Sequence, residues 1–351
     1  MRFRLNENNI PLLATAVVCA ALFAAGAVRY QEQGFFTARN VVSLFSDNAF
    51  LGVVAVGMTF VILSGGIDLS VGSVVALTGV AVAWAVERRG MHPAAAIPLA
   101  LAGGTLLGAG MGALVHFFRL PAFLVTLAGM FLARGLAFII SVEAIALNHP
   151  WLERLGNWSV PLSKLGGRLP VAIPLAAILF LASLALAIYL ARLTSFGRNV
   201  YAIGGNEHSS LLMGLPVART KIGVYALSGF CAALGGIVRM LDTPSGDPRA
   251  AFALELDAIA AVVIGGTLLT GGVGYVIGTL LGVLILGIIQ AAITFEGQAS
   301  SGGTRIAIGL LLFVFIVLQR LVAKLSAGGS TWLTRWRRGQ DGGVGLPEQR
   351  A

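Results

Sequence analysis

The sequence predicts an all-α, polytopic membrane protein with about ten transmembrane helices. Of its 351 residues 57% are hydrophobic and only 11% are charged, and long apolar runs recur along the chain. A soluble globular protein carries about 25% charged residues. A helix needs about 20 apolar residues to cross the hydrocarbon of a bilayer, so lipid is the solvent that this composition fits.

The apolar runs are separated by short breaks rich in Gly, Pro and Asn, which are typical of loops. The runs cover residues 10–28, 49–64, 71–86, 94–118, 121–140, 171–190, 222–240, 256–270, 274–295 and 304–322. The run 256–270 is short enough to be a half-helix that enters the membrane without crossing it. The 46 glycines fit the same class, because small residues let membrane helices approach closely.

The first run resembles a signal peptide in its flanks. Arg2 and Arg4 precede it, and it ends in the small residues 24–27, as a cleavable signal peptide would. The run is long for a signal peptide, and many spans follow it. We therefore predict an uncleaved first span.

Three regions follow from this pattern. They are a cytoplasmic N-terminus (1–9), a transmembrane domain (10–325) with a polar loop at 191–221, and a disordered cytoplasmic tail (326–351). Ten spans place both termini and the polar loop on one side, which holds thirteen Lys and Arg residues against nine on the other. Positive residues favour the cytoplasm. The net charge of +9 thus reflects membrane orientation, and we expect membrane lipid and no nucleic acid as a partner.

A glycine-rich interruption occurs twice. Residues 63–73 read LSGGIDLSVGS, and residues 269–279 read LTGGVGYVIGT. Paired Gly-interrupted segments point to the transport route in transporters with internal repeats, although a glycine-rich membrane chain also produces such similarities by chance. We predict backbone breaks at Gly65, Gly66, Gly271 and Gly272.

A carboxylate, Asp68, lies in the first interruption. A charged residue at mid-membrane costs about 2.5–3.5 kcal/mol on insertion scales and tends to be functional. Asp68 could be the N-cap of the next helix or could contact a polar solute, and the two roles are compatible. The residues that we predict to line a substrate pathway are Asn48, Thr59, Ser64, Asp68, Ser70, Ser73, Thr126 and Gln290.

The polar loop contains a predicted short helix. Asn206 can cap a helix that runs through Met213 and ends before Gly214 and Pro216, with an apolar side beside a polar one. An exposed apolar surface invites a protein partner, although a helix that rests on lipid headgroups is the alternative. The candidate contact residues are Gly205, Asn206, Glu207, His208, Leu211, Leu212, Met213 and Gly214.

Motifs of catalysis are missing from the sequence. It contains no G-x-x-x-x-G-K-[ST] phosphate loop, no H-E-x-x-H zinc motif and no G-x-S-x-G motif, and its four histidines are scattered. We therefore expect neither an enzyme nor a metal or other cofactor on this chain. A proton-coupled carrier needs ionisable groups within its spans, and only Asp68 and Arg134 offer themselves. An autonomous carrier or channel is the alternative function.

Three long motifs carry a family resemblance. They are GMTFVILSGGIDLSVGSVVALTG (57–79), TSFGRNVYAIGGNEHSSLLMGL (194–215) and ELDAIAAVVIGGTLLTGGVGYVIGTLLGVLILGIIQ (255–290). Together they resemble the permeases of ribose- and galactose-type ABC sugar importers, in the branched-chain amino acid/sugar permease superfamily.

Shorter stretches look most similar to the permease of the galactofuranose importer. They are residues 47–60, 121–135 and 146–150. One stretch departs from the family: residues 239–249 read RMLDTPSGDPR, where relatives usually have an aromatic- and glycine-rich segment. The identity of the sugar therefore stays open.

The resemblance implies a permease subunit of an ATP-driven importer in a bacterial inner membrane. Its cargo would be a monosaccharide, galactofuranose-like or another pentose or hexose, moved by alternating access. A second permease subunit, identical or paralogous, would complete the pathway. Cassette ATPases, which bind ATP and magnesium, would dock on the short helix at 205–214, and a periplasmic sugar-binding protein would deliver the sugar.

Overall fold

The computed structural model describes residues 10–161 and 171–296, with five further positions between 306 and 317. The described helices are α1 (Ile10–Arg29), α2 (Ala38–Ser46), α3 (Ala49–Leu63), α4 (Val71–Glu87), α5 (Pro93–Phe117), α6 (Ala122–Ile140), α7 (Pro150–Gly156), α8 (Leu175–Leu193), α9 (Ser195–Gly205), α10 (Glu207–Leu212), α11 (Val217–Asp242), α12 (Leu254–Ile264) and α13 (Val276–Phe295). The predicted N-terminus (1–9) and tail (326–351), and most of the last apolar run (304–322), lie outside the described residues. The all-α prediction is confirmed.

Four very short strands accompany the helices in the described part of the chain. They are β1 (Ile145–Ala146), β2 (Ser159–Pro161), β3 (Ala172–Pro174) and β4 (Ser245–Gly246). They form two antiparallel pairs, β1 with β4 and β2 with β3. The pairs join loops and form no layer of their own.

Six described helices are long and apolar enough to cross a membrane, and α2 with α3, which meet at 51°, make a seventh if the bent pair is one span. The six are α1, α5, α6, α8, α11 and α13. Helix α4 has 17 residues and α12 only 11. At about 1.5 Å per residue, α12 is about 16 Å long and covers about half of the hydrocarbon thickness. The short length predicted for this run is confirmed, whereas the count of ten spans is not. That α12 enters the membrane without crossing it stays a prediction.

Helix α1 is an integral part of the bundle. It packs along α13, and the Thr15 hydroxyl donates to the carbonyl oxygen of Ile264 at 2.7 Å. At its other end, Arg29 lies 3.2 Å from the Glu296 carboxylate. These contacts attach both ends of α1 to the bundle, and that this first span is not cleaved stays a prediction.

Helix α11 lies at the centre of the bundle, against α3, α4 and α5. Its closest neighbour is α5, where glycines bring the two backbones together. A Cβ atom at Gly108 would overlap the carbonyl oxygen of Tyr225, and one at Gly229 would overlap that of Gly104. Since lipid tails are as apolar as the side chains, such close packing is a main source of helix association in a membrane.

The contacts of α11 also fix the directions of α3 and α4. Gly57 of α3 lies against Cys231, and the earlier residue Phe50 lies near Gly235, so α3 and α11 are antiparallel. Helix α4 runs parallel to α11, because Val75 lies against Gly236 and the later residue Gly79 lies against Met240, further along α11. The chain therefore reverses between α3 and α4.

A second reversal of the chain, between α12 and α13, lies at the same end of the bundle as the first. Gly265 lies against Gly278, and the amide of Gly272 in the second turn donates to the carbonyl oxygen of Leu63 at the end of α3 at 2.9 Å. The twin sequences thus form neighbouring turns at one end of the bundle. That end also holds α10, and it is called the α10 end below.

The predicted backbone breaks are confirmed at both turns. Gly65, Gly271 and Gly272 have φ values of 81°, 83° and 74°, which residues with a Cβ rarely adopt. Gly66 lies in the first break, between α3 and α4. The two breaks differ in length, since the first leaves residues 64–70 outside the helices and the second leaves residues 265–275.

The α5–α11 packing predicts a position-specific cost of one methyl group. We expect Gly108→Ala to lower the free energy of unfolding by about 1–3 kcal/mol, because the new Cβ overpacks the interface. Gly110→Ala, in the same helix, is the matched control, since a Cβ there meets no described atom within 4 Å. Thermal unfolding in detergent measures both, and equal effects would contradict the packing described here.

Candidate functional site

The first break carries non-helical backbone into the middle of the bundle. Asp68 accepts a hydrogen bond from the Ser228 hydroxyl at 2.7 Å, and Ser228 lies close to the middle of the 26-residue helix α11. At about 1.5 Å per residue that helix is about 39 Å long, so Asp68 is level with the middle of a helix long enough to cross a membrane. Such backbone is tolerated at this depth only where protein or water satisfies it.

Asp68 is fully buried, with both oxygens bonded to protein donors. One oxygen accepts from the Ser70 amide at 2.9 Å and from the Ser70 hydroxyl at 2.6 Å, and the other accepts from Ser228. The N-cap of α4 is Ser70, and the helix begins at Val71. The prediction that Asp68 is the N-cap is therefore wrong: it stands two residues earlier and receives the amide of the cap residue itself.

Two more predicted pathway residues meet the same segment. The Thr126 hydroxyl of α6 reaches the carbonyl oxygen of Ile67 at 3.2 Å, and the Ser73 hydroxyl donates to the carbonyl oxygen of Ser70 at 2.6 Å. The structure thus brings Asp68, Ser70, Ser73 and Thr126 together. Their side chains satisfy the backbone where it leaves the helical geometry.

Ser228 is a member of this cluster that the sequence analysis missed. The available signal was a hydroxyl in the middle of the apolar run 222–240. A serine there is compatible with many helix contacts, because its hydroxyl can also bond within its own helix. Only the position of α11 next to the break makes Ser228 a partner of the carboxylate.

The other four predicted pathway residues lie apart from this cluster. The hydroxyls of Thr59 and Thr279 are hydrogen-bonded at 2.7 Å, and Thr279 holds the place in the second motif that Ser73 holds in the first. Asn48 lies at the far end of α3, Ser64 bonds the end of that helix, and Gln290 is exposed on α13. A role of all eight in one pathway stays a prediction.

A cavity of about 850 Å³ opens beside the break at the α10 end. Its lining combines the break with charged side chains of the neighbouring turns: Ser64, Gly65, Gly66, Arg119, Glu207, Lys221 and Tyr225 are among its residues. Asp68 is not part of the lining. In this conformation the carboxylate is separated from the cavity by the glycine pair and Tyr225.

Helix α10 matches the predicted short helix closely. The Asn206 side chain accepts the Ser209 amide at 2.8 Å, so the predicted N-cap is confirmed. The helix ends at Leu212, one residue earlier than predicted, and Gly214 follows with a φ of 75°. Leu211, Leu212 and Met213 are 51%, 78% and 67% exposed, which makes an apolar surface at this end of the bundle.

Glu207 of α10 is ion-paired within the chain. Its carboxylate lies 2.7 Å from the Lys221 ammonium of α11. The preceding helix, α9, was not predicted; it begins after Thr194, whose hydroxyl accepts the Gly197 amide at 3.2 Å. Helix α9 places α10 against the start of α11 and beside the break, with His208 exposed next to Glu207.

At the opposite end, Arg134 binds backbone. Its guanidinium donates to the carbonyl oxygens of Pro248 and Ala250 at 2.7 and 2.8 Å. This fastens the segment that departs from the family pattern, which is also paired through β4. Burial of the guanidinium or of a carbonyl oxygen without a partner would cost free energy. The two hydrogen bonds offset that cost, because they satisfy a charge that would otherwise face apolar surroundings.

A bundle of apolar helices with an internally satisfied break at mid-depth is characteristic of membrane transport proteins. The comparisons with known proteins give the particular family. The family "Branched-chain amino acid transport system / permease component" matches residues 40–319, and the chain belongs to it. No solved structure matches the chain.

The relatives agree with this assignment over nearly their whole length. The inner membrane ABC transporter permease protein YjfF of Escherichia coli K12 is 49% identical over 90% of this chain and 93% of its own. The fructose import permease protein FruG of Bifidobacterium longum is 37% identical over 93% and 95%. The ribose import permease protein RbsC of Escherichia coli K12 is 39% identical over 82% and 88%. The family predicted from the motifs is confirmed: the chain is a multi-pass membrane permease, a transport component and not an enzyme.

The Asp68 cluster predicts coupled effects on stability. We expect Asp68→Ala to lower the free energy of unfolding by about 3 kcal/mol, because buried donors lose their acceptor. Ser228→Ala should cost less, and the double variant should cost less than the sum by about 0.5–3 kcal/mol. Ser183→Ala is the control, since Ser183 bonds only a carbonyl of its own helix in the described structure. Unfolding in detergent tests the cycle, and strictly additive effects would show that the two side chains do not interact.

Proposed function

We propose that this permease is the membrane-spanning subunit of an ATP-driven importer for a monosaccharide, powered by a separate cassette ATPase. The observation that carries the proposal is the juxtaposition of α10 with the break. The exposed apolar surface of Leu211, Leu212 and Met213 stands at the end of the bundle where the non-helical segment 64–70 begins.

A partner ATPase fits this end of the bundle. An apolar patch on a polar loop favours protein docking, and the chain itself carries no phosphate-binding loop for ATP and magnesium. The α10 end is also basic, with Arg119, Arg192, Arg198, Arg219 and Lys221 on its loops and helix ends. Basic loops favour the cytoplasm, which supports a cytoplasmic α10 end.

The position of α1 supports the same orientation for the N-terminus. Leu12 at the start of α1 lies near Gly278 at the start of α13, and Arg29 at its end pairs with Glu296 at the opposite end. The chain thus enters the bundle from the α10 end. Both termini are then cytoplasmic if the last apolar run (304–322) crosses once more.

A sugar is the cargo that the relatives favour. FruG and RbsC are named for fructose and ribose import, and hydroxyl and carboxylate groups such as those of the Asp68 cluster suit a polyhydroxylated solute. We propose a pentose or hexose, with galactofuranose first among the candidates because of the motifs at 47–60, 121–135 and 146–150. A periplasmic binding protein would present it to the opposite end, and a second permease subunit would complete the pathway by alternating access.

The cargo can be tested through the cognate binding protein. Calorimetric titration of that exported protein with galactofuranose, ribose, fructose and arabinose should give tight binding of one sugar, and the same sugar should compete for uptake. Uptake by proteoliposomes that hold this permease without any ATPase would contradict the proposed mechanism and favour an autonomous carrier.

The α10 surface predicts a docking defect. In the Leu211→Asp/Leu212→Asp double variant, two charges would have to be desolvated at the interface, which costs several kcal/mol unless they are paired. We expect the ATPase to be lost on co-purification while membrane insertion is unchanged. Val142→Asp, at an apolar residue of the opposite end that is 62% exposed, should co-purify normally. Retained binding by the double variant would exclude α10 as the docking surface.

A further inference from the structure

Three stretches of backbone meet at the α10 end without any side chain between them. They are Leu63–Gly66 at the first turn, Gly271–Gly272 at the second turn, and Gly204–Gly205 at the end of α9. The contact includes a hydrogen bond from the Gly272 amide to the Leu63 carbonyl oxygen at 2.9 Å. This set of contacts is called the glycine junction below.

The glycine junction leaves no room for a side chain. A Cβ atom at Gly204 would overlap the carbonyl oxygen of Leu63 and lie 2.5 Å from the Gly272 nitrogen. One at Gly271 would lie 2.7 Å from the Gly65 nitrogen, and one at Gly272 the same distance from the Gly205 nitrogen. Separations under about 3 Å are not seen for real Cβ atoms, so the three stretches touch through main-chain atoms.

The junction connects the docking surface to the carboxylate cluster. Gly204 lies two residues before Asn206, the N-cap of α10. Leu63 lies five residues before Asp68, and the stretch between them has no helical structure. Gly272 leads into α13, whose Thr279 bonds Thr59 of α3. The shortest covalent path from α10 to Asp68 within the chain is otherwise well over a hundred residues long.

A second link runs through side chains. Glu207 of α10 pairs with Lys221 at 2.7 Å. Tyr225 lies one turn later on α11, and its hydroxyl lies so close to Gly66 that a Cβ atom there would overlap it. The next turn of α11 carries Ser228, which bonds Asp68. Helix α10 is thus connected to the break through the backbone at one point and through α11 at another.

A contact of this kind transmits displacement well. Packed main-chain atoms are nearly incompressible and have no rotamers that could absorb a movement, so a shift of α10 has to move the first turn, the second turn or both. Small shifts at one site become larger rearrangements where an element has two discrete arrangements. The segment 64–70 is held by side-chain hydrogen bonds of Asp68, Thr126 and Ser73 in place of helical ones, so we expect such a rearrangement there.

We infer that the glycine junction, with Gly204 as its positioning residue, carries movements of α10 into the segment that holds Asp68, and so couples the ATPase to the transport pathway. This rests on the proposed function, because it takes α10 as the docking surface. It adds a route: coupling passes through main-chain contact at three glycine pairs, while Leu211 and Leu212 only hold the ATPase.

The test separates docking, ATP hydrolysis and transport. In proteoliposomes with the ATPase and the binding protein, we expect Gly204→Ala to co-purify with the ATPase and to hydrolyse ATP close to the wild-type rate. Sugar uptake per ATP should fall on the order of tenfold, because substitutions along a coupling route change the coupling by about this much. Wild-type uptake per ATP in this variant would overturn the inference.

Two matched variants make the result specific. Gly110→Ala adds a Cβ on α5, outside the junction, where no described atom lies within 4 Å, and should behave as wild type. Gly282→Ala adds an equally crowded Cβ at the Ala261 carbonyl oxygen, between α12 and α13 and away from the junction. If Gly282→Ala, still folded, uncouples transport to the same degree, general packing damage explains the effect and the inference fails.

Hydrogen exchange of the wild-type complex tests the inference even if Gly204→Ala does not fold. Addition of a non-hydrolysable ATP analogue to the assembled complex should change deuterium uptake in residues 61–70 and 268–275 together with that in α10. A change in α10 alone would overturn the inference. A wild-type permease that does not bind the ATPase at all would refute the proposed function, which co-purification detects separately.

Discussion

The structure depends on how the chain satisfies its backbone where α3 has ended and α4 has not begun. In lipid, a peptide group without a partner costs several kcal/mol, so the seven residues that lie between the two helices need donors and acceptors from elsewhere. Asp68 accepts from the Ser70 amide, and Thr126 reaches the Ile67 carbonyl. The buried charge of Asp68 is in turn stabilised by the hydroxyls of Ser70 and Ser228.

This arrangement requires helices that approach very closely. Ser228 can reach Asp68 only because α11 lies directly against α3 and α4, and glycines such as Gly57 and Gly236 make that approach possible. Close packing supplies the association energy that the hydrophobic effect cannot supply between helices in lipid. The glycines therefore allow close approach of backbones in two places, between helices along α11 and between turns at the α10 end.

The candidate functional features lie where regular helices stop. The break at 64–70, the second turn and α10 meet at one end of the bundle, so a partner that binds α10 also acts next to the segment that carries Asp68. A membrane permease driven by another subunit needs such a meeting point, because the energy enters in one chain and the solute moves through another. Because the three stretches touch through main-chain atoms, a movement of α10 cannot be absorbed by side-chain rotamers at this point.

Several parts of the site were predictable from local sequence. The glycine breaks, the capped helix after Asn206 and the half-length span all depend on residues close together in the chain, through conformational freedom at glycine, capping and run length. Helix α9 was not predicted, because its residues 195–205 have mixed polarity. The N-cap assignment of Asp68 was wrong, because an Asx-type bond to Ser70 and a cap on α4 have the same sequence pattern.

The sequence by itself determined that this is a membrane permease with two glycine breaks and one short capped helix after Asn206, since hydropathy, caps and motifs are local properties. Only the tertiary structure decided that Asp68 lies level with the middle of α11, that Ser228 is its partner, and that the twin glycine turns touch each other and the end of α9. These facts depend on contacts between residues far apart in the chain. No local pattern encodes the depth at which a non-helical segment stops or which neighbour will satisfy it.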